Sequence, residues 1–591
     1  MVFNLVPVAI ASAATWLLYT RILQPLFLSP LSKIPAPHWS CHISPLWILY
    51  TRKSNRQNRT LHRAHLKLGP VVRIGPNELS VDGYDALKTV YQGGFEKDQW
   101  YSIFNNYGVP NMFSTLASKP HSLRKRMVSN AYAKSFIHAS EPAKAQARAI
   151  LFGRLLPLLS ASSSRHTKST STDIDTGSSG TSNPGPSPGA GIDVFSTFLA
   201  STMDFITAYT FGLRNSADFL RQKAYRDHWL QLYLARASHG FWPQETPRLN
   251  ALVTRLGMGL WKLYPSWVDD ANAEIRAWNW RLCEGAREYV RGNQKEGATA
   301  AAEKEKGQED KRDVADEPVV LCAMEAGIEK ERRVNGQDSI LYPTTILQQN
   351  ESVASEILDQ VLAGQETAGI ALTYLAWHLS RSPGLQKSLR QELLTLSPDL
   401  KMPTNATETN AASLPGSLPD PKHVDALPIL HAVVMETLRL HAPIPGPEPR
   451  QTPHPHPPCR LGDFHVPGGV RVAALGYTLH RNAAVFPDPE VWDHTRWLAW
   501  NTSEAQRREM LRYFWAFGSG GRMCVGSNFA MNESSAFTDL FRYSPEMKLI
   551  AAAIWTNFTT RVVDDTGIEQ DDTYTARPVG ERLILRFEHV E

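Results

Sequence analysis

An apolar run from Val2 to Tyr19, with no charge before Arg21, restricts this chain more than any other feature. It is about the minimum span for a membrane-crossing helix, and Ile22 to Leu28 can extend it although Gln24 and Pro25 interrupt that piece. The small Ala11-Ser12-Ala13 run would suit a cleaved signal peptide, but no basic residue precedes the apolar stretch. Arg21, Lys33, Arg52, Lys53, Arg56, Arg59 and Arg63 all come before the first acidic residue, Glu78. That bias predicts an uncleaved single-pass anchor at 1–28 with the following body on the cytoplasmic side. The prolines of Pro30-Leu-Ser-Lys-Ile-Pro-Ala-Pro37 cannot continue a helix, so 29–60 reads as a stiff connector leading into the body.

Residues 61–591 read as one large domain. Hydrophobic residues make up 42% and charged residues 20% of the 591, enough for a sizeable core. A net charge of +4 does not supply the clustered basic surface that nucleic-acid binding needs. The five cysteines, Cys41, Cys283, Cys322, Cys459 and Cys524, are scattered and odd in number, which argues against a disulfide framework. Segments 160–191, 292–317 and 397–422 are polar, charged or Pro/Ser-rich and are expected to be surface loops. Between them the pattern is mostly helical: Ser352 to Ser380 is a long apolar helix, and Val424 to His441 a second, stopped by Pro443, Pro445 and Pro447. Val71–Ile74 and Glu78–Val81 flank Gly75-Pro76-Asn77 as a hairpin, and strands are expected near Val470–Leu475 and Arg582–Phe587. The expected fold class is mainly α with a minor β-region.

The strongest motif is Phe517-Gly-Ser-Gly520-Gly-Arg522-Met-Cys524-Val-Gly526. Glycines on both sides of a cysteine let the backbone turn tightly and aim N–H groups at the sulfur, which favours and shields a thiolate. Cys524 alone would read as a buried structural thiol. A second motif, Ala363-Gly364-Gln365-Glu366-Thr367, interrupts the long apolar helix with an acid that needs a reason to be buried. A threonine hydroxyl can bond a carbonyl one turn back, and an acid beside a hydroxyl is suited to relaying protons. Alone, this motif reads as a polar kink. Glu436-Thr-Leu-Arg439 puts two opposite charges on one helix face, and Asp493-His-Thr-Arg496-Trp497 follows downstream. His121-Ser-Leu-Arg-Lys125-Arg126 is a basic stretch that, alone, could be a solvated helix face. His454, His456, Cys459 and His465 match no standard zinc spacing and lie in a proline-stiffened segment.

Together, and in this order, these motifs resemble the cytochrome P-450 family over nearly the whole chain. The cysteine segment matches F-x-x-G-x-R-x-C-x-G at all five fixed positions, and the helix motif resembles A/G-G-x-D/E-T. The E-x-x-R pair is present, but the P-E-R-W form is altered, with His494 for Pro and Thr495 for Glu. In the family's W-x-x-x-R, His121 stands at the Trp place and Lys125 at the Arg place.

The resemblance implies a triangular, mainly helical fold holding a b-type haem (heme b) with Cys524 as thiolate ligand to the iron. Phe517, Gly520, Arg522, Gly526, His121 and Lys125 would surround the cofactor, with Arg522 and Lys125 toward its propionates. Glu366 and Thr367 would manage protons, while Glu436, Arg439 and Arg496 would hold the haem-side core. It further implies insertion of one atom of O2 into an apolar organic substrate, with electrons from NADPH through NADPH–cytochrome P-450 reductase at the endoplasmic reticulum membrane. Trp100, Tyr101, Phe104, Tyr107, Ile444–Glu448 and Thr573–Tyr574 are expected near the substrate. Long Ser/Pro loops and the His121 variant suggest a fungal enzyme of secondary metabolism. A haem-thiolate isomerase or dehydratase, and a non-catalytic haem ligand-binding protein, stay open as alternatives.

Overall fold

The computed structural model describes residues 5–164, 191–257, 259, 261–303, 313–403, 417–454, 458–527 and 545–590. Helix α1 (Leu5–Leu18) continues without a break through a wider helical turn, Tyr19–Leu28, that tolerates Pro25 inside it. Val6–Leu28 is 23 residues long, apolar enough to cross a membrane, and buried nowhere against the body. The connector then docks firmly. Leu31 and Ile34 are buried in the core of a sheet, and buried Arg73 donates to the carbonyls of Pro25 (3.1 Å) and His42 (3.2 Å).

Among the described residues, ten short strands form three sheets. They are β1 (Val71–Gly75), β2 (Glu78–Val81), β3 (Glu96–Lys97), β4 (Ile192–Asp193), β5 (Arg450–Gln451), β6 (Cys459–Leu461), β7 (Phe464–Val466), β8 (Arg471–Ala473), β9 (Phe558–Asp564) and β10 (Ile584–His589). The largest sheet has the order β1-β2-β8-β5-β3, the second β4-β10-β9, and β6 pairs with β7. The expected hairpin is present, with Val71 opposite Val81.

The helices carry the core. They include α2 (Ser118–Val128), α3 (Val194–Phe211), α4 (Lys223–Ala237), α5 (Gln349–Ser380), α6 (Pro428–Leu440) and α7 (Pro545–Asn557). Helix α5 has 32 residues and at 1.5 Å per residue runs about 48 Å. It ends where Pro383 follows. Helices α3 and α5 approach closely because Gly369 has no side chain: a Cβ there would sit 2.6 Å from Leu199 Cδ2. The single helix expected from Val424 to His441 is two. Pro421–Asp425 forms one turn, and α6 starts afresh at Pro428, a residue that suits the first helical position. Glu392 caps this new start, accepting from the N–H groups of Ile429 and Leu430. Another difference concerns 292–317: the helix Trp267–Glu303 continues into it, so its first part is helical rather than loop. Glu, Lys and Ala favour a helix even when the segment is too polar to be buried. Segments 165–190, 404–416 and His456 lie outside the described residues.

One carboxylate ties α6 to the chain that leads to the cysteine. Glu436 accepts from Arg439 Nε (2.9 Å) and Nη2 (2.8 Å), Arg496 Nε (3.0 Å), Trp497 Nε1 (2.9 Å) and the Asp493 N–H (2.9 Å). Arg439 also donates to the carbonyl of His480, whose Nε2 accepts the Trp515 N–H at 2.7 Å. Removing one partner of such a buried ion pair costs about 3–5 kcal/mol. Glu436→Ala should lower stability by about that much, read as a loss of urea or thermal midpoint in the full chain. A midpoint equal to that of the unaltered protein would show the network to be dispensable.

Buried histidines set an acid limit. Burial, with Arg439 and Arg481 nearby, lowers the His480 pKa to about 3, and burial with Arg381 lowers that of His378 to about 3. The unfolded chain takes up these protons below about pH 6.5 while the folded chain does not, so stability rises with pH across that window. The thermal midpoint should therefore fall as pH drops from about 6.5 toward 3, and His378→Gln should flatten that slope. An unchanged slope in the variant would count against the assignment.

Candidate active site

Cys524 lies on a short irregular loop after the single turn Gly520–Arg522. The loop is pinned at both ends: the Cys524 N–H donates to the Phe517 carbonyl (3.0 Å), and the Met523 N–H to that of Gly520 (3.1 Å). Gly520 has φ +71°, and a Cβ there would collide with the Tyr91 carbonyl oxygen, so this turn requires glycine. The sulfur is accessible to solvent, yet burial raises its pKa, with the N–H groups of Gly526 and Ser527 and the Lys125 ammonium acting in the opposite direction. A thiol both accessible and largely surrounded lines a recess. A Cβ on Gly526 would stand 3.8 Å from the sulfur, against it rather than clear of it.

Cations ring the recess beside this loop. Lys125, on α2, donates to the carbonyls of Gly521 (3.2 Å) and Met523 (3.1 Å). Arg522 donates to the Thr115 carbonyl (2.8 Å) and pairs with Glu96 (3.2 Å), and burial lowers its pKa to about 10. Lys97 is buried, donates to the Phe113 carbonyl (2.6 Å), and lies over the rings of Tyr101 and Phe113. Arg450 is buried on β5, donates to the Tyr101 hydroxyl (2.9 Å) and pairs with Glu448 (3.2 Å). His121 sits among them. Its burial, followed by Arg522, Lys97, Lys125 and Arg450, lowers its pKa to about 2, so it stays neutral. Arg124 faces elsewhere, donating to Ser352 and Thr344.

Neither Lys97 nor Arg450 stood out in the sequence. Each sits at a strand end, on Phe95-Glu-Lys97 and Glu448-Pro-Arg450, and only the β3–β5 pairing brings Lys97 opposite Arg450. Their signal was weak: a single basic residue among apolar or proline neighbours.

Helix α5 passes the recess. Ala363 is exposed and Gly364 and Thr367 half-buried, although most of the surrounding helix is buried. The Thr367 hydroxyl donates to the Ala363 carbonyl at 2.8 Å, the back-bonding that loosens a helix at this position. Glu366 points the other way. It is buried, accepting from the Tyr233 hydroxyl on α4 (2.5 Å) and from Arg577 Nε (2.9 Å). Burial and the Glu366 charge push the Tyr233 pKa well up. Arg577 also pairs with Glu581 at 2.7 Å. Tyr233 and Arg577 are partners that sequence spacing could not find, since they stand more than a hundred residues from Glu366. Tyr132 connects the two sides: it feels the charge of Cys524 and donates to Gln360 of α5 at 2.7 Å.

Of the aromatic residues expected near a substrate, Trp100 and Phe104 cluster with Tyr574, at ring distances of 5.2 and 6.0 Å, and with Phe113. Tyr101 holds Arg450. Tyr107 does not join them: its hydroxyl donates to the Arg276 carbonyl, and its ring lies against Trp280.

This donor set fits a haem, for which Cys524 would supply the thiolate and the cations would hold the propionates. A soft thiol faces the recess, and four cations (Lys97, Lys125, Arg450, Arg522) meet two paired carboxylates, Glu96 and Glu448. The basic groups outnumber the carboxylates paired with them, and burial together with Arg450 and Arg522 pushes the Lys97 pKa well down, so a propionate placed here would favour its charged form. Among the described residues, no group of three or more His, Cys, Asp or Glu could hold a bare metal ion.

Residues 309–542 match the family model described as Cytochrome P450. The chain is 25% identical over 538 residues to Cytochrome P450 monooxygenase aflV of Aspergillus parasiticus, covering 90% of this chain and 87% of that one. It is 24% identical over 595 residues to Cytochrome P450 monooxygenase hkm5 of Aspergillus hancockii, covering 98% and 95%. Over a shorter stretch of 235 residues, 40% of each chain, it is 32% identical to Cytochrome P450 monooxygenase FGM1 of Gibberella zeae.

Lys97→Met should weaken haem retention. Losing a charge-assisted hydrogen bond costs about 1.5–3 kcal/mol, or roughly tenfold or more in the rate of haem loss to a competing apoprotein. An unaltered rate would remove Lys97 from the cofactor's surroundings.

Proposed function

We propose that this chain, a cytochrome P450 monooxygenase, inserts one atom of O2 into an apolar organic substrate, the other atom leaving as water as NADPH is oxidised. The observation that carries this reading is the accessible Cys524 thiol in a glycine-lined loop, ringed by cations on one side and linked through Tyr132 to the α5 face that bears Thr367. Bound haem supplies the oxygen activation, assisted by electron density from the thiolate. The protein's own residues do the rest. Gly526 and Ser527 N–H groups and Lys125 stabilise the sulfur as an anion. Lys97, Arg450, Arg522 and neutral His121 would hold the propionates. Phe517 would pack near the macrocycle, and Gly520 holds the turn.

Thr367 stands half-buried on α5, its hydroxyl bonded to the Ala363 carbonyl, where it can hold a proton in the recess. Glu366 stands on the opposite side of the same helix, where Arg577 pairs with it and with exposed Glu581, so the three groups form a polar route along which protons can pass between solvent and the helix. The Glu366–Arg577 pair must loosen before Glu366 can turn inward, so delivery is gated. Electrons come from NADPH–cytochrome P450 reductase docking on the face nearest Cys524, at the endoplasmic reticulum membrane to which Val6–Leu28 attaches the body. The similarity to monooxygenases of Aspergillus supports a fungal enzyme, and the long Ser/Pro loops fit one of secondary metabolism.

The test is a reconstitution with the reductase. The reduced, CO-bound protein should show the red-shifted thiolate band, and Cys524→Ser should abolish it. Thr367→Ala should keep the band and consume NADPH, with most of the electrons lost to hydrogen peroxide. Coupling equal to the unaltered enzyme would defeat the role of Thr367, and turnover without reductase would point to an isomerase.

A further inference from the structure

Asp359 lies one turn before Ala363 on α5, within the apolar stretch that faces the recess. It is half-buried, whereas Leu358 and Gln360 on either side are buried. Among the described residues it makes no hydrogen bond and has no salt bridge, and its half-burial leaves the carboxyl reachable. The ionisable groups that feel it are Glu356 on its own helix, Lys97 on β3 and Tyr574 of the aromatic cluster. Lys97 is already engaged by the Phe113 carbonyl and by two rings. Tyr574 stacks with Trp100 and Phe104, which are themselves close at 5.7 Å. The segment that carries Phe104 and Phe113 is bonded to the turn of α5 just before Asp359, the Met112 N–H donating to Glu356 (2.7 Å) and Ser355 to the Val109 carbonyl (3.0 Å), so an unbonded carboxyl stands on the same part of the helix as this aromatic segment.

We infer that Asp359 is a specificity-determining residue and that the substrate carries a basic amine, which Asp359 receives while the rings of Trp100, Phe104 and Tyr574 pack around its alkyl groups. The chemistry of the place selects this class. Ring faces attract cations, and a carboxylate accepts the N–H of an ammonium. An apolar substrate whose body carries one amine satisfies the carboxyl, whereas a pure hydrocarbon leaves it without a partner. Burial and Glu356 raise the Asp359 pKa to about 8, so without a ligand the group is mostly protonated, and an arriving cation draws it into the ionised, paired form. This inference rests on the recess beside Cys524 being the substrate site.

The experiment compares N-benzylpiperidine with its hydrocarbon counterpart benzylcyclohexane, binding each to the full-length haem-loaded protein by equilibrium dialysis. The CO-bound thiolate band is recorded on the same samples. The unaltered protein should bind the amine at least about tenfold more tightly than the hydrocarbon, as one charge-assisted hydrogen bond allows. Asp359→Asn should erase that preference and leave hydrocarbon affinity unchanged, while Asp359→Glu should retain most of it. Equal affinity of the two ligands for the unaltered protein, undetectable amine binding, or a preference that survives Asp359→Asn would overturn the inference. A missing thiolate band in the unaltered protein would instead defeat the haem-thiolate reading itself.

Discussion

The fully buried Glu436 carboxylate is the interaction on which the cysteine side of this protein depends. It collects two guanidinium groups, an indole N–H and a backbone N–H, and thereby holds α6 against the loop that runs to Trp497. Arg439 extends the reach to three carbonyls, those of His480, Pro489 and Val491. His480 then accepts the Trp515 N–H, two residues before Phe517, where the cysteine loop begins. A buried charge without partners would be expensive, so the network is complete or absent. Its completeness is what gives a mobile-looking Gly-Ser-Gly-Gly stretch one geometry.

Around that anchor the charges are sorted by side. Cations gather on α2, β3, β5 and the cysteine loop, and they outnumber the carboxylates paired with them. Acids lie along α5: Glu356 bonded to Gln360 and the Met112 N–H, Asp359 without a partner, and Glu366 bonded to Arg577 and Tyr233. Three of the four carboxyls on this helix thus stand in three environments: Glu356 is bonded within its own helix and to a neighbouring backbone, Glu366 is paired with groups from two distant segments, and Asp359 is unbonded among the described residues. The low dielectric of the core makes these differences large.

Much of this was legible beforehand where signals are local. The bounds of α5 follow from an apolar run and a proline, the β1–β2 hairpin from Gly75-Pro76-Asn77, and the Glu436–Arg439 contact from helical spacing. The reading failed where a local signal competed with another. Pro428 restarts a helix instead of sitting within one, because its missing N–H matters only at positions where that N–H would be bonded. Tyr107 looked like its aromatic neighbours but follows a left-handed turn residue geometry, φ 52°, that sends its ring toward Trp280.

The sequence by itself determined the chemistry of the cysteine loop, the acid–threonine pair and the apolar N-terminal segment, because each is contiguous and its physical demands are met within a few residues. Only the tertiary structure decided which partners those groups meet. Lys97 and Arg450 share a site through strand pairing, Tyr233 and Arg577 converge on Glu366 from distant segments, and the segment before Phe113 is bonded to α5 beside Asp359. Such meetings depend on how helices and sheets pack across hundreds of residues, and side-chain periodicity carries no information about that distance.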